Sequence, residues 1–281
     1  MKKSIIFFTI ACLLSACGQT EEKKAATLYD NAMRFYKENS LDNAKNLLDS
    51  IHAKYPRQVE YRKKADTLLW RITIDEINRD MPQVDSALQA LLQDAEAIAK
   101  NYRFTKDEKY QQVGDYEHKS MQNAINSNRT YLKPIADEQG KFRLISNLVG
   151  KSIKHRQIVA KVGDATASTA EAKDEARNSY NDFGVNYELV NYTAPEVEQL
   201  ISFFRQNADN QIEIILKGDK DYSYKISKSN VKTILDTYDF AKILKEVYGN
   251  QARKAEMTKV YKVLSLRLSK SEQPTNTKTL P

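Results

Sequence analysis

Cysteine is nearly absent from this chain. Of 281 residues two are cysteines, Cys12 and Cys17. After Cys17 there is no thiol, which excludes a disulfide framework, a thiol redox centre, a cysteine nucleophile and a cysteine-based zinc site from everything that follows. Histidine is scarce as well. His52, His118 and His155 are far apart, and none belongs to an H-E-x-x-H or similar ligand pair. Each reads as a surface or structural residue, and no metal or cofactor is expected. The eight glycines are scattered, so there is no Gly-rich phosphate loop, and no G-x-S-x-G elbow occurs. Long apolar runs are also lacking. The stretch from Ile5 to Leu14 is too short to cross a bilayer as a helix, which takes about 20 residues, and no other segment is a candidate.

What is present at the front is a pattern. Lys2 and Lys3 precede the apolar stretch, which leads into Leu14-Ser15-Ala16-Cys17. An aliphatic residue, two small residues and a cysteine in this order resemble the lipobox of bacterial lipoproteins. The resemblance implies cleavage before Cys17, a diacylglycerol thioether on its sulfur and an acylated amine. Residues 1–16 are then a signal peptide and stand outside fold reasoning. Each buried methylene contributes about 0.8 kcal/mol, and anchoring becomes stable once more than one chain inserts. Cys17 is therefore the expected lipidation site and membrane lipid its partner. Residues 17–24 are polar and read as a flexible tether.

The chain has 44 basic and 37 acidic side chains; without Lys2 and Lys3 the excess is about +5. Spread over this length it describes a solvated mixed-charge surface. It makes no case for nucleic acid and supports at most weak attraction to anionic lipid or glycan.

Glycine and proline are scarce before Leu132, which favours helix there. Helical periodicity begins at Ala25. Leu28, Ala32 and Phe35 recur at helical spacing. After a break at Asn39-Ser40, Ala44, Leu48 and Ile51 continue on a second helix that stops before Pro56. The pair matches a tetratricopeptide repeat, with Ala32 and Ala44 at the helix crossing, Phe35 at the aromatic position, and Asn31 where leucine is usual. Alanine at each crossing allows close approach. Only one register is good, so one hairpin is expected, tetratricopeptide-like or a generic helical pair. A third helix over Arg57–Asn78 caps it with Tyr61, Ala65, Leu68, Leu69 and Ile72.

Ile74, Ile77, Met81, Val84, Leu88, Leu91, Ala95, Ile98 and Tyr102 then alternate spacings of three and four, a heptad seam. Pro82 lies inside it and Asp80 is a candidate N-cap, so a kink or restart is expected there. In a parallel dimer Asp80 would face Asp85, a like-charge pair. Ala87, Leu92 and Ala99 widen the apolar stripe. Both features favour packing within the chain, against the hairpin or the helix Val231–Val247, and a monomer.

From Tyr131 the period changes to two. Tyr131–Ala136 and Phe142–Val149 flank Glu138-Gln139-Gly140, a hairpin signal, with Phe142, Leu144 and Leu148 on one face. Ile158, Ala160 and Val162 alternate in a third strand. Residues 163–184 read as a long loop with one helical turn around Ala170–Arg177, and Tyr187–Asn191 as a strand. Pro195 opens a helix. Ile212–Leu216 and Tyr222–Ile226 form a hairpin around Gly218-Asp219. Ser227 or Ser229 caps a long helix to about Thr258. Leu264, Leu266 and Leu268 alternate as a closing strand, and Lys270–Pro281 is polar and disordered. The expected fold class is α+β: a helical hairpin and long heptad helix over residues 25–105, then an antiparallel sheet or sandwich with a long C-terminal helix over 106–270, and a tail over 271–281.

Leu48-Asp49-Ser50-Ile51 with Lys54-Tyr55-Pro56, Lys106-Asp107-Glu108-Lys109-Tyr110, and Phe142 to Val159 together resemble a family of uncharacterised outer-membrane lipoproteins. That family has a helical hairpin followed by a β-rich domain. The resemblance covers most of the chain after Cys17, and it implies the architecture and an outer-membrane location but no activity. Gln19-Thr20-Glu21-Glu22 are similar to the acidic export tags of lipoproteins displayed on the cell surface, so the periplasmic face and the cell surface both stay open. The expected function is a membrane-anchored, non-catalytic binding or scaffolding module with an envelope protein or glycan as partner. The alternative is a hydrolase of envelope glycans, recognisable by a pocket holding two close carboxylates with perturbed pKa. Asp219 and Asp221 beside Tyr222 suit a cation or a sugar, or simply a hairpin turn.

Overall fold

Between Gly18 and Pro56 there is neither glycine nor proline, and there the chain forms two helices, α1 (Ser4–Lys37) and α2 (Leu41–Lys54). The computed structural model describes residues 4–121 and 129–271. The expected tail over 271–281 falls, after Ser271, outside the described residues. α1 ends where Asn39 adopts a left-handed φ of 57°, which asparagine tolerates better than most residues, and Ser40 donates its backbone N–H to the Phe35 carbonyl at 2.8 Å. α3 (Val59–Ala99) packs on this hairpin. Ala32, Ala44 and Ala65 are fully buried, surrounded by Leu48, Ile51, Leu68 and Ile72. Tyr36 donates its hydroxyl to Asp75 at 2.6 Å and Lys45 its ammonium to Glu76 at 2.7 Å, tying both hairpin helices to α3.

Two expectations are corrected here. Residues 17–24 are not a loose tether but part of α1, because Glu21 to Ala26 are good helix formers that run into the buried Ala25. α3 also neither stops nor restarts at Asp80. It runs through Pro82, which cannot donate to the carbonyl one turn back and costs about 3 kcal/mol inside a helix. Asp80 accepts from Arg79 at 2.8 Å and lies 4.0 Å from Arg253, while Asp85 pairs with Lys254 at 2.7 Å. The acidic flank of the seam is therefore met by the last helix. The seam points inward: Val84, Leu88 and Ala95 are buried, and Met81, Leu91 and Ile98 are half-buried. Ala87 and Leu92 face out, so the stripe is narrower than expected.

The chain divides into two compact units, residues 1–85 with 253–281, and residues 86–252. The second unit holds two antiparallel sheets. One has the order β1-β2-β3-β4-β8-β7, from β1 (Tyr102–Thr105), β2 (Asp115–His118), β3 (Tyr131–Asp137), β4 (Phe142–Val149), β7 (Arg177–Asp182) and β8 (Val185–Thr193). The other has the order β10-β9-β5-β6, from β5 (Gln157–Val162), β6 (Ala165–Ser168), β9 (Glu213–Lys217) and β10 (Tyr222–Lys225). α4 (Ala194–Gln206) and α5 (Lys228–Ser271) complete the fold. Thr193 and Glu196 form a capping box at the start of α4. One core joins both sheets to the helices: Leu132, Leu144 and Leu148 from one sheet, Ile158, Ile214 and Leu216 from the other, Phe204 from α4 and Phe240 from α5. Gly140, at φ 79°, lets the β3–β4 turn approach α5 so closely that a Cβ there would overlap the backbone of Ala241 and Lys245.

The α+β architecture is as expected, with four strands added and one removed. β1 and β2 follow directly on the seam, whose last member, Tyr102, opens β1. The segment read as a long loop contains β6 and β7, with only Asp174–Ala176 as a helical turn. Leu264, Leu266 and Leu268 do not form a closing strand, because α5 continues to Ser271.

Leu88, 8% exposed, and Leu92, 43% exposed, share one helix but not one environment. Leu88→Ala is expected to lower the stability measured by urea unfolding by about 2–5 kcal/mol, while Leu92→Ala should cost less than about 1 kcal/mol. Equal costs would show that the seam is not a core.

A sealed serine–histidine–glutamate chain and an open cleft

The connection from β4 to β5 passes from one sheet to the other through residues 150–156 without regular structure. It bends through Gly150 at φ 80° and Lys154 at φ 52°, the latter a conformation that non-glycine residues rarely hold without support. The support is Glu188 of β8. Its Oε2 accepts from the backbone N–H of Lys154 at 2.8 Å, the N–H of Ile153 at 3.2 Å and the Ser152 hydroxyl at 3.4 Å. Its Oε1 accepts from the backbone N–H of His155 and from the His155 ring at Nδ1. On the other side of the ring, Nε2 lies 3.0 Å from Ser146 Oγ.

The strand register explains why these groups meet. Leu148 faces Glu188 and Ser146 faces Val190 across the β4–β8 pair, so Ser146, Leu148, Glu188 and Val190 share the inward face. All four are buried, as is His155. From the other sheet, Gly218 closes over the connection. A Cβ there would collide with the Ile153 carbonyl, and Asp219 donates its backbone N–H to that same oxygen.

Protonation follows from these partners. Burial pushes the Glu188 carboxyl up, but the backbone and His155 hydrogen bonds outweigh it and hold the group below its ordinary value. Burial pushes His155 down, and the nearby carboxylate only partly offsets this. The histidine is then neutral, donating from Nδ1 to Glu188 and accepting at Nε2 from the Ser146 hydroxyl. A hydroxyl, an imidazole and a carboxylate in series are the parts of a nucleophile–base–acid chain. Here Ser146 and His155 are 0% exposed, so no acyl carbon can reach the hydroxyl. What this chain does is hold a neutral imidazole and a sharply bent connection in place.

Cys17 lies within α1. His52 sits 3.1 Å from Asp66, and His118 sits 2.7 Å from the Ser120 hydroxyl, so the histidines lie at three separate places. Among the described residues no group of three or more histidine, cysteine or acidic side chains could hold a metal. Asp219 and Asp221 occupy the β9–β10 turn, each facing a lysine, Lys154 at 3.4 Å and Lys217 at 2.5 Å. Ser146 and Glu188 were not singled out from the sequence. Their signal was a polar residue at an inward position: serine between Leu144 and Leu148, and glutamate two residues before Val190.

An open cleft of about 360 Å³ lies beside the first turn of α5 and includes Arg129, Lys225, Ser229 and Tyr224 in its walls. Among the described residues its lining contains two cations and no carboxylate. The Tyr224 hydroxyl has no hydrogen-bond partner among the described residues, and burial raises its pKa above the ordinary tyrosine value.

The chain matches no known protein family, no curated protein and no solved structure.

Both lowered pKa values act in the same direction. As pH falls below 6.5, the ordinary value for histidine, the unfolded chain takes up a proton that buried His155 resists. Below 4.5, the ordinary value for a glutamate, the unfolded chain protonates while Glu188 stays ionised, down to its own lower pKa. Stability should therefore fall on acidification through both windows. Glu188→Gln is expected to lower stability at pH 7 by about 2–4 kcal/mol by leaving buried donors unmatched, and to flatten the lower window. A variant with unchanged stability and an unchanged pH profile would rule out the clamp.

Proposed function

We propose that this is a lipid-anchored envelope protein, held on the outer membrane through Cys17, that acts as a non-catalytic binding or scaffolding module. The observation that carries the reading is Leu14-Ser15-Ala16-Cys17 after a short apolar stretch. Among the described residues no helix is long and apolar enough to cross a membrane; in this reading a lipid on Cys17 supplies the attachment.

The non-catalytic part is supported by the use to which the best-formed reactive constellation is put. Ser146, His155 and Glu188 are enclosed and committed to the β4–β5 connection. A glycan hydrolase would need two carboxylates across an open cleft. The cleft beside α5 has Arg129 and Lys225 instead. The partner is an envelope protein or glycan, and the chain acts as a monomer.

Metabolic labelling with an alkyne fatty acid tests the anchor. The wild-type protein should be labelled and float with membranes, and Cys17→Ala should lose both properties. Equal labelling of the two proteins would overturn the reading.

A further inference from the structure

The last part of α5 belongs to the helical unit, and its two faces differ. Met257, Val260, Leu264 and Leu268 recur at helical spacing and are half-buried. Beyond Arg253 and Lys254, already paired with Asp80 and Asp85, Arg267 lies over the Trp70 ring at 5.7 Å. The last part of α5 therefore runs antiparallel along α3 between Trp70 and Asp85, and one side is spoken for.

The outward side is unusual for a solvated helix. Lys259, Val263, Leu266 and Lys270 fall at i, i+4, i+7 and i+11, with Lys262 beside them. All five are exposed, Leu266 to 55% and Val263 to 42%. Lys259 has one loose, exposed contact with Glu256 at 3.8 Å, and among the described residues Lys262 and Lys270 make no ion pair. Residues 253–271 contain six basic side chains and one acidic. Aliphatic residues set among lysines on one face are the composition of a helix that lies in a membrane interface, its cations among headgroup phosphates and its apolar side chains at the acyl boundary.

Position agrees with charge. Lys270 and Ser271 share a cleft with Tyr29 and Met33 of α1 and with Lys63, Lys64 and Glu60 of α3, the glutamate paired with Lys64 at 2.7 Å. Tyr29 follows Cys17 by twelve residues of one helix, about 18 Å at the α-helical rise. The basic end of α5 thus sits beside the helix that carries Cys17.

We propose that the outward face of α5 between Lys259 and Lys270 lies on anionic lipid of the membrane that carries the Cys17 anchor. This rests on the anchoring proposed above. The lipid keeps the protein at the surface, and the helix face sets how the helical unit meets it. Each lysine close to an anionic surface strengthens docking by about five-fold, so three give a preference on the order of a hundred-fold at low salt, lost as salt screens the charges.

The test uses the lipidated full-length protein with Leu266→Cys, which places one free thiol in a chain whose other mature cysteine is acylated. An environment-sensitive fluorophore on that thiol is read in vesicles of phosphatidylcholine with and without phosphatidylglycerol, with flotation measured on the same samples. The expected result is flotation in both compositions, and a blue-shifted emission shielded from aqueous iodide only in the anionic vesicles, reversed by high salt. Adding Lys259→Glu, Lys262→Glu and Lys270→Glu should abolish the shift and leave flotation intact. Flotation with an equally aqueous label in both compositions would overturn the docking and leave the anchor standing. A shift that appears only with an added acidic polypeptide would assign the face to a protein and overturn it too. Failure to float at all would contradict the anchor and the docking together.

Discussion

One buried carboxylate is the constraint on which the β-rich unit turns. The β4–β5 connection passes from one sheet to the other with Ile153 and His155 buried between exposed residues, and a backbone N–H buried there needs an acceptor. Glu188 supplies the missing acceptors. It binds consecutive backbone donors of Ile153, Lys154 and His155, and the imidazole of His155 extends the network to Ser146 on the neighbouring strand. A negative charge is costly to bury, and the count of donors converts that cost into a directional clamp. Lys154 can hold its left-handed backbone because its N–H is fixed, and Gly218 of the second sheet can close over the connection because the connection has one shape.

The helical unit is organised by size rather than by charge. Alanine at positions 32, 44 and 65 lets helices approach until Leu48, Ile51 and Ile72 interlock. Ion pairs such as Asp85 with Lys254 are partly exposed and add little stability, but they select the acidic flank of α3 as the partner of the basic start of the last part of α5. Beyond those pairs the last part of α5 carries more cations than acids, with Lys259 meeting only Glu256 of its own helix, and this excess is what the proposed docking on anionic lipid uses.

Legibility in the sequence followed from how one-sided each element is. β5, β8 and the β9–β10 hairpin alternate because one face meets the core, and β3 and β4 alternate over their first four residues before both faces become buried, so their pattern is readable. β7 is an edge strand whose residues Asn178 to Asp182 are all exposed, and β6 is built of alanine, threonine and serine, so neither carries an alternation to detect. Leu264, Leu266 and Leu268 mimicked a strand because Leu264 and Leu268 also fit the helical spacing from Met257, and local pattern alone does not separate the two. Pro82 predicted a break that packing of the seam on both sides overrode. The expectation of a lipid on Cys17 rests on four adjacent residues. Ser146, His155 and Glu188 are spread over more than forty positions, and only strand pairing brings them together, so the network could not be named in advance.

The Glu188 clamp makes a claim that a static contact list does not: the connection has no opening of its own and moves only when the whole unit unfolds. Native-state hydrogen exchange of the backbone amides of Ile153, Lys154 and His155 measures this directly. The account predicts that they exchange with the same opening free energy as the buried amides of β4 and β8, and that their protection shares the denaturant dependence of global unfolding. Exchange through a low-energy, denaturant-independent local opening would contradict it.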